Sequence, residues 1–153
     1  MSRYEDRVGK AGQEAAAGAL HRLGVECVEQ IGTPVKIIPR GNFGNQTTYQ
    51  VIWGDKVAGD HHGILPGGRA VLAETKTILD RNLQWSDLRD HQPDALSRHA
   101  EFGGLALLVW VHCSGIHVMQ WPVPGFGPHK SISADKAAAL SAILESVMRE
   151  VMR

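Results

Sequence analysis

Apolar positions in this chain change between helical and strand spacing several times. Over residues 3–23, Ala11, Ala15, Ala16, Ala19, Leu20 and Leu23 recur every three or four positions. That spacing predicts a helix with a small-residue apolar face, and Gly24 is a natural stop. Residues 25–30 form a short strand, and residues 35–38 another between Pro34 and Pro39. Gly41-Asn42-Phe43-Gly44-Asn45 has the composition of a loop. Residues 47–53 are rich in β-branched and aromatic side chains and predict a strand. Residues 57–65 and 69–77 then read as a hairpin about Pro66-Gly67-Gly68.

Residues 78–91 are irregular, with one helical turn near 86–89. A second helix is predicted over 92–102, with Pro93 in its first turn and Gly103-Gly104 as its stop. The run 104–112 is continuously apolar, as in a strand buried on both faces. Ser114-Gly115 turns the chain, and 116–121 returns antiparallel. Residues 122–128 read as a loop. A last helix covers 134–152, with Ser133 as N-cap and Leu140, Ile143, Leu144, Val147 and Val151 as its buried face. This order describes one α/β domain over residues 1–153 with a mixed sheet and no internal repeat or linker.

Composition narrows the picture only slightly. The 153 residues suffice for one domain with a real core, and 43% of them are hydrophobic. No apolar run approaches the roughly 20 residues of a membrane span. The charged start, Met1-Ser2-Arg3-Tyr4-Glu5-Asp6, lacks a signal-peptide core, so a cytoplasmic location is expected. Net charge is zero with both signs mixed along the chain, which argues against a strongly basic nucleic-acid coat. A small catalytic groove remains compatible with it. The two cysteines, Cys27 and Cys113, exclude a C-x-x-C site and read as reduced, partly buried thiols.

The chemistry lies in the hairpin. Asp60 ends one apolar run, and the next ends in Glu74-Thr75-Lys76. Side chains alternate along a strand, so Glu74 and Lys76 share a face. The hairpin brings Asp60 beside them. Two carboxylates are hard ligands suited to Mg2+ or Mn2+, and the Thr75 carbonyl is a natural further ligand. Such an ion beside a phosphate would activate water and neutralise charge. Lys76 would orient the water or stabilise the developing negative charge. Metal-assisted phosphodiester hydrolysis is therefore the leading expectation, against a surface ion pair.

The arrangement resembles the PD-(D/E)xK nuclease superfamily, and more narrowly the RecU-type Holliday junction resolvases. Gly32-Thr33-Pro34-Val35-Lys36-Ile37 is similar to that family's Pro-Thr-Pro segment. Asp60-His61-His62-Gly63 matches its Asp-x-x-Gly, and Glu74-Thr75-Lys76 its Glu-Ala-Lys. His91-Gln92, Leu96, Gly103-Gly104 and Lys130-Ser131-Ile132 follow in the family's order. The resemblance implies a restriction-endonuclease-like core, a mixed central sheet flanked by helices. It implies Mg2+-dependent cleavage of branched DNA, such as a four-way junction, by a homodimer making paired nicks. Asp60 and Glu74 would be metal ligands, Lys76 the catalytic lysine, and Gln92 would position phosphate or water. Glu14 on the first helix is a weaker match to an acidic residue that some resolvases add.

Two departures stand out. Leu72 occupies a position that usually carries a second acid, and the family's stalk looks cut down to residues 40–48. Leu72 removes any ligand that acid would supply, and the shortened stalk bears on junction specificity more than on cleavage, so flaps, ends or mismatched DNA are the alternative substrates. A non-catalytic DNA-binding module of the same fold is a third reading. Of the other candidates, His61 and His62 point to opposite faces, so at most one faces the site. His91 and His99 read as surface or capping groups, and no helical His pair supports a zinc hydrolase. Among Trp53, Trp85, Trp110 and Trp121, Trp85 is the best placed to stack on a base, while Trp110 reads as core. Arg81, Arg89 and Arg98 are candidate phosphate contacts.

Overall fold

The computed structural model describes residues 3–31, 35–43, 46–53 and 59–151, with side chains described for 7–31 and 59–151. Helix α1 (Arg3–Arg22) leads into β1 (Glu26–Gln30). Strands β2 (Val35–Phe43) and β3 (Gln46–Trp53) follow, then β4 (His61–Ile64) and β5 (Ala70–Thr77). A short strand β6 (Leu83–Gln84) and a 3-10 turn (Trp85–Asp87) precede α2 (His91–Glu101). The chain ends with β7 (Leu105–His112), β8 (Gly115–Gln120), β9 (Ser131–Ile132) and α3 (Ala134–Val151). No helix among the described residues is long and apolar enough to cross a membrane.

Five strands form one sheet in the order β1-β4-β5-β7-β8. β5 and β7 are parallel, with Glu74 opposite Leu108 and Lys76 opposite Trp110. Parallel neighbours need a crossover, and α2 supplies it. The other pairs are antiparallel, so the sheet is mixed. The β4–β5 hairpin turns where expected, with Gly67 and Gly68 at φ 92° and 89°. Only glycine adopts that left-handed region without strain.

The apolar run of β7 is buried on both faces, as its composition predicted. Leu105, Leu107 and Val109 pack with Ala16 and Leu20 of α1 and Leu144 and Met148 of α3. Ala106, Leu108 and Trp110 pack on the other side with Leu83, Leu96 and Met119. Burying each such Leu contributes about 1.5–3 kcal/mol, so β7 anchors both core layers and with them the neighbouring strand β5.

Several elements differ from the sequence reading. β4 begins at His61 rather than at residue 57, and residues 54–58 lie outside the described chain. Residues 41–43, read as loop, belong to β2. β2 and β3 form a ribbon of their own, with a register shift between Pro39 and Gly41. Proline has no N–H for the ladder, so a bulge beside it is the usual solution. Of the residues expected as a reduced stalk, 40–43 belong to β2 and 46–48 to β3, which pair with each other, and 44–45 lie outside the described residues. The irregular stretch after β5 contains β6, which pairs with β9 through the buried Leu83 and Ile132.

The last helix is turned from its predicted orientation. Its buried side is Ala137, Ser141, Leu144 and Met148, whereas Ile143, Val147 and Val151 are exposed. Two apolar stripes run side by side on this helix. The one carrying small residues wins, because Ala137 and Ser141 admit a close approach to edge strand β8. Ser141 Oγ also accepts the Val118 N–H at 3.0 Å, satisfying a donor the edge strand leaves unpaired. Ser133 caps the helix, its Oγ 3.4 Å from the Lys136 N–H. Both cysteines, read as partly buried, are exposed. Cys27 sits at φ 50° inside a register shift of β1, which turns its backbone out of the regular pleat.

Candidate active site

Strand alternation sends Ala73 and Thr75 of β5 toward α1 and Glu74 and Lys76 toward α2. The β4–β5 ladder ends at His61 opposite Ala73. Asp60 stands one residue earlier. Its N–H donates to the Ala73 carbonyl at 2.8 Å, and its own carbonyl accepts the Ile31 N–H at 2.8 Å. Its Oδ2 accepts the Thr75 N–H at 2.8 Å. The carboxylate therefore takes the donor that the backbone of β4 no longer reaches. Gly59, at φ 85°, aims the chain into this position.

Glu74 is 2% exposed. Its Oε1 lies 3.0 Å from Lys76 Nζ and also accepts from Gln92 Nε2. Gln92, on the first turn of α2, accepts from Lys76 Nζ and from the Arg89 N–H, each at 2.8 Å. Glu74, Lys76 and Gln92 thus close a ring of hydrogen bonds between sheet and helix. Burial pushes the Glu74 carboxyl above its ordinary pKa, and the nearby Asp60 charge adds to this. Lys76 and the Gly59 backbone act in the opposite direction. A buried carboxyl with its pKa raised between a second acid and a lysine marks a candidate functional site.

These residues line one open cavity of about 410 Å3. All four side chains singled out from sequence, Asp60, Glu74, Lys76 and Gln92, face it, as does Thr75. Arg81 and Arg89 also line it, and Arg98 does not. Glu14, the weaker candidate, is exposed and absent from the cavity; its neighbour Gln13 faces it instead. One residue along a helix rotates a side chain by about 100°, which is enough to move the amide in and the acid out. Gly12 sets this turn close to β5, because a Cβ there would overlap Thr77 Oγ1.

Asp87 is the carboxylate that sequence reasoning missed. It lines the cavity and holds Arg81 through two contacts, Nη2 to Oδ1 at 2.7 Å and Nη1 to Oδ2 at 2.8 Å. The Arg81 guanidinium holds the Asp87 carboxyl below its usual range. Asp87 Oδ2 also accepts the Gln84 N–H at 2.7 Å, fixing the 3-10 turn. The signal available in sequence was Ser86-Asp87 inside the expected helical turn.

Neither histidine of the pair lines the cavity. His61 is buried under α1, 3.4 Å from Thr75 Oγ1, and burial lowers its pKa. His62 is exposed and lies 3.1 Å from Glu29 of β1. His99 sits at the far end of α2, 3.2 Å from the Ala70 carbonyl. Trp110 is core, as expected, with its Nε1 donating to the Ile78 carbonyl at 2.9 Å. Trp85 stacks on Trp121 with centroids 5.7 Å apart. It borders a separate groove of about 870 Å3 between residues 84–94 and 128–131. That groove carries Asp90, Asp94 and Lys130 but nothing like the buried acid–lysine–amide ring. The Trp53 side chain and the Gly32-Thr33-Pro34 segment lie outside the described residues.

A five-stranded mixed sheet flanked by helices, with its polar cluster on the third strand, defines a restriction-endonuclease-like fold. Among solved structures the chain is similar to Hjc of Archaeoglobus fulgidus, a Holliday junction resolvase from an archaeal hyperthermophile. The TM-score is 0.58 at 12% identity, over 91% of this chain and 98% of that one. A second structure, SSO0001, aligns at a TM-score of 0.39 and 14% identity, over 91% of this chain and 59% of its own. No protein-family model matches the sequence, and no curated protein matches it.

Proposed function

We propose that the chain is a metal-dependent DNA endonuclease that hydrolyses phosphodiester bonds in branched DNA, in the manner of a Holliday junction resolvase. The observation that carries this reading is the buried Glu74, set beside Asp60 and tied to Lys76 and Gln92 on one open cavity. The fold shared with Hjc supports it.

The donor set fits a hard divalent cation. Asp60 and Glu74 would hold Mg2+, or Mn2+ in its place. Strand N–H and C=O groups of one residue point to the same edge. The Thr75 N–H points at Asp60, so its carbonyl faces that side and suits a third oxygen ligand. When bound, the ion would neutralise phosphate charge and acidify the attacking water.

The chain's own groups do the rest. Lys76 stabilises the negative charge that develops on the phosphoryl oxygens as the water oxygen bonds to phosphorus and the P–O bond breaks. Gln92 fixes Glu74 and Lys76 against each other, so neither has to reorganise during the step. Arg81 and Arg89 at the cavity wall contact flanking phosphates, which position the strand without reading sequence. Lys76, Arg81 and Arg89 stand against Asp60, Glu74 and Asp87 in this cavity, so its formal charge balances until a divalent ion is bound. A two-fold symmetric junction calls for a homodimer with two such cavities making paired nicks. The cytoplasm is where such an enzyme meets its DNA.

The test is cleavage of a four-way junction with Mg2+, run beside linear duplex and flap substrates. Selective junction cleavage, lost in Asp60→Ala and Glu74→Ala, is the expected outcome. Equal cutting of duplex or flaps would replace the junction by a broader substrate. Full activity in either variant would contradict the assignment of the site.

A further inference from the structure

Exposed apolar side chains are unevenly spread over the described residues. Three of the six large ones, Ile143, Val147 and Val151, lie on α3, with exposures of 61%, 49% and 74%. Next to them, Leu140, Pro122 and Pro124 wall a shallow apolar groove of about 230 Å3. Singly scattered apolar residues mean little, but a contiguous stripe beside a groove is characteristic of an interface.

We propose that this face of α3 is an isologous interface, occupied by a second copy of the chain with its own α3 running antiparallel. The pattern of charges selects this occupant. Lys136 and Glu150 each stand seven residues, two helical turns, from Ile143, and both are exposed. Neither forms an ion pair among the described residues. The three therefore lie on one line along the helix, with Ile143 at its midpoint. In an antiparallel pair centred on Ile143, Lys136 meets the partner's Glu150, and by symmetry the same pair forms again at the other end. Val147 meets the partner's Leu140, and Ala139 the partner's Ser146, so large apolar groups face each other and small groups face each other. A parallel pairing would set Lys136 against Lys136 and Glu150 against Glu150. The same surface thus carries both halves of a self-complementary contact, which two-fold symmetry requires. The paired-nick reading gains a surface from this, but the inference rests on α3 and not on the chemistry of the cavity.

The charge line makes a stringent test possible. Light scattering and sedimentation on the full chain should give twice its 16.6 kDa mass. Ile143→Asp should reduce the mass to that of one chain, with an unchanged circular dichroism spectrum. Lys136→Glu and Glu150→Lys should each weaken self-association by at least roughly tenfold, because each creates two like-charge contacts per dimer. Mixing these two variants should restore it, since a mixed pair regains both opposite-charge contacts. A wild-type chain that stays monomeric at about 100 μM would overturn the proposal. A dimer unaffected by Ile143→Asp, or charge variants that do not rescue one another, would do the same. None of these readings depends on DNA cleavage, so a monomer that still cuts junctions would sink the interface and leave the nuclease standing.

Discussion

Glu74 of β5 and Gln92 of α2 are joined inside the seam between sheet and helix, the Gln92 amide donating to Glu74 Oε1. The other end of the same side chain accepts from Lys76 Nζ at 2.8 Å. One amide therefore supports both members of the acid–lysine pair. Gln92→Ala should lower kcat/KM for junction cleavage by about 10–100-fold, the usual effect of losing a group that orients a metal ligand. Leaving the buried Glu74 without that donor should also cost about 1–3 kcal/mol of stability in urea unfolding. An unchanged rate would mean that Gln92 only fastens α2 to the sheet.

Lys76 separates charge stabilisation from ion binding. Lys76→Met should reduce the cleavage rate by about 100-fold or more, while calorimetry still detects Mn2+ binding at the two carboxylates. Loss of Mn2+ binding in this variant would assign the lysine to building the site rather than to the reaction.

The raised pKa of Glu74 makes the metal-free fold pH-dependent. A carboxyl that holds its proton more tightly folded than unfolded favours the fold while protonated. That contribution is present below the unfolded value and is lost as pH rises through the folded one. Above the folded value the ionised Glu74 thus favours the metal-free fold less than the protonated one does. Glu74→Gln should melt at a higher temperature than the parent at pH 7 in chelator, with the difference closing as pH falls to the range of free carboxylates. It should also be inactive. A variant less stable than the parent at pH 7 would show that the Lys76 pairing outweighs burial.

Gly59 supplies the turn that delivers Asp60. At φ 85° an L side chain is strained, and a Cβ would approach Leu72 Cδ1 to 2.5 Å. Gly59→Ala should destabilise the fold by about 1–2 kcal/mol and lower cleavage further than that loss of folded protein accounts for, because Asp60 shifts with it. Thermal unfolding and initial rates measured well below the melting temperature separate the two effects.

The site was more legible in the sequence than the framework around it. Asp60, Glu74 and Lys76 come together as strand alternation and a two-glycine turn predict, both local rules, whereas Gln92, on α2, was expected there only from the resemblance. Gln13 and Asp87 were not found, because their position depends on how α1 and the 3-10 turn close over the sheet. Glu14 shows the limit well: helical periodicity places a helix but does not resolve which of two adjacent residues faces inward. The last helix failed for a related reason, since Ile143 and Val147 look more core-like than Ala137 and Ser141 until the edge strand beneath them is known. The β2–β3 ribbon was hidden by Gly41, Asn42 and Pro39, loop-like residues that a two-stranded ribbon tolerates through a bulge. The resemblance to RecU-type resolvases pointed to a fold that Hjc shares.

The proposed mechanism rests on Asp60 and Glu74 holding a divalent ion that serves DNA cleavage. It is tested most directly by incubating a labelled four-way junction with the wild-type chain and with Asp60→Ala, with and without Mg2+. Symmetric nicks are expected from the wild type only when Mg2+ is present, and none from Asp60→Ala, whose melting temperature stays close to the parent's. Cleavage by Asp60→Ala at the parent rate, or by the wild type in chelator, would contradict it.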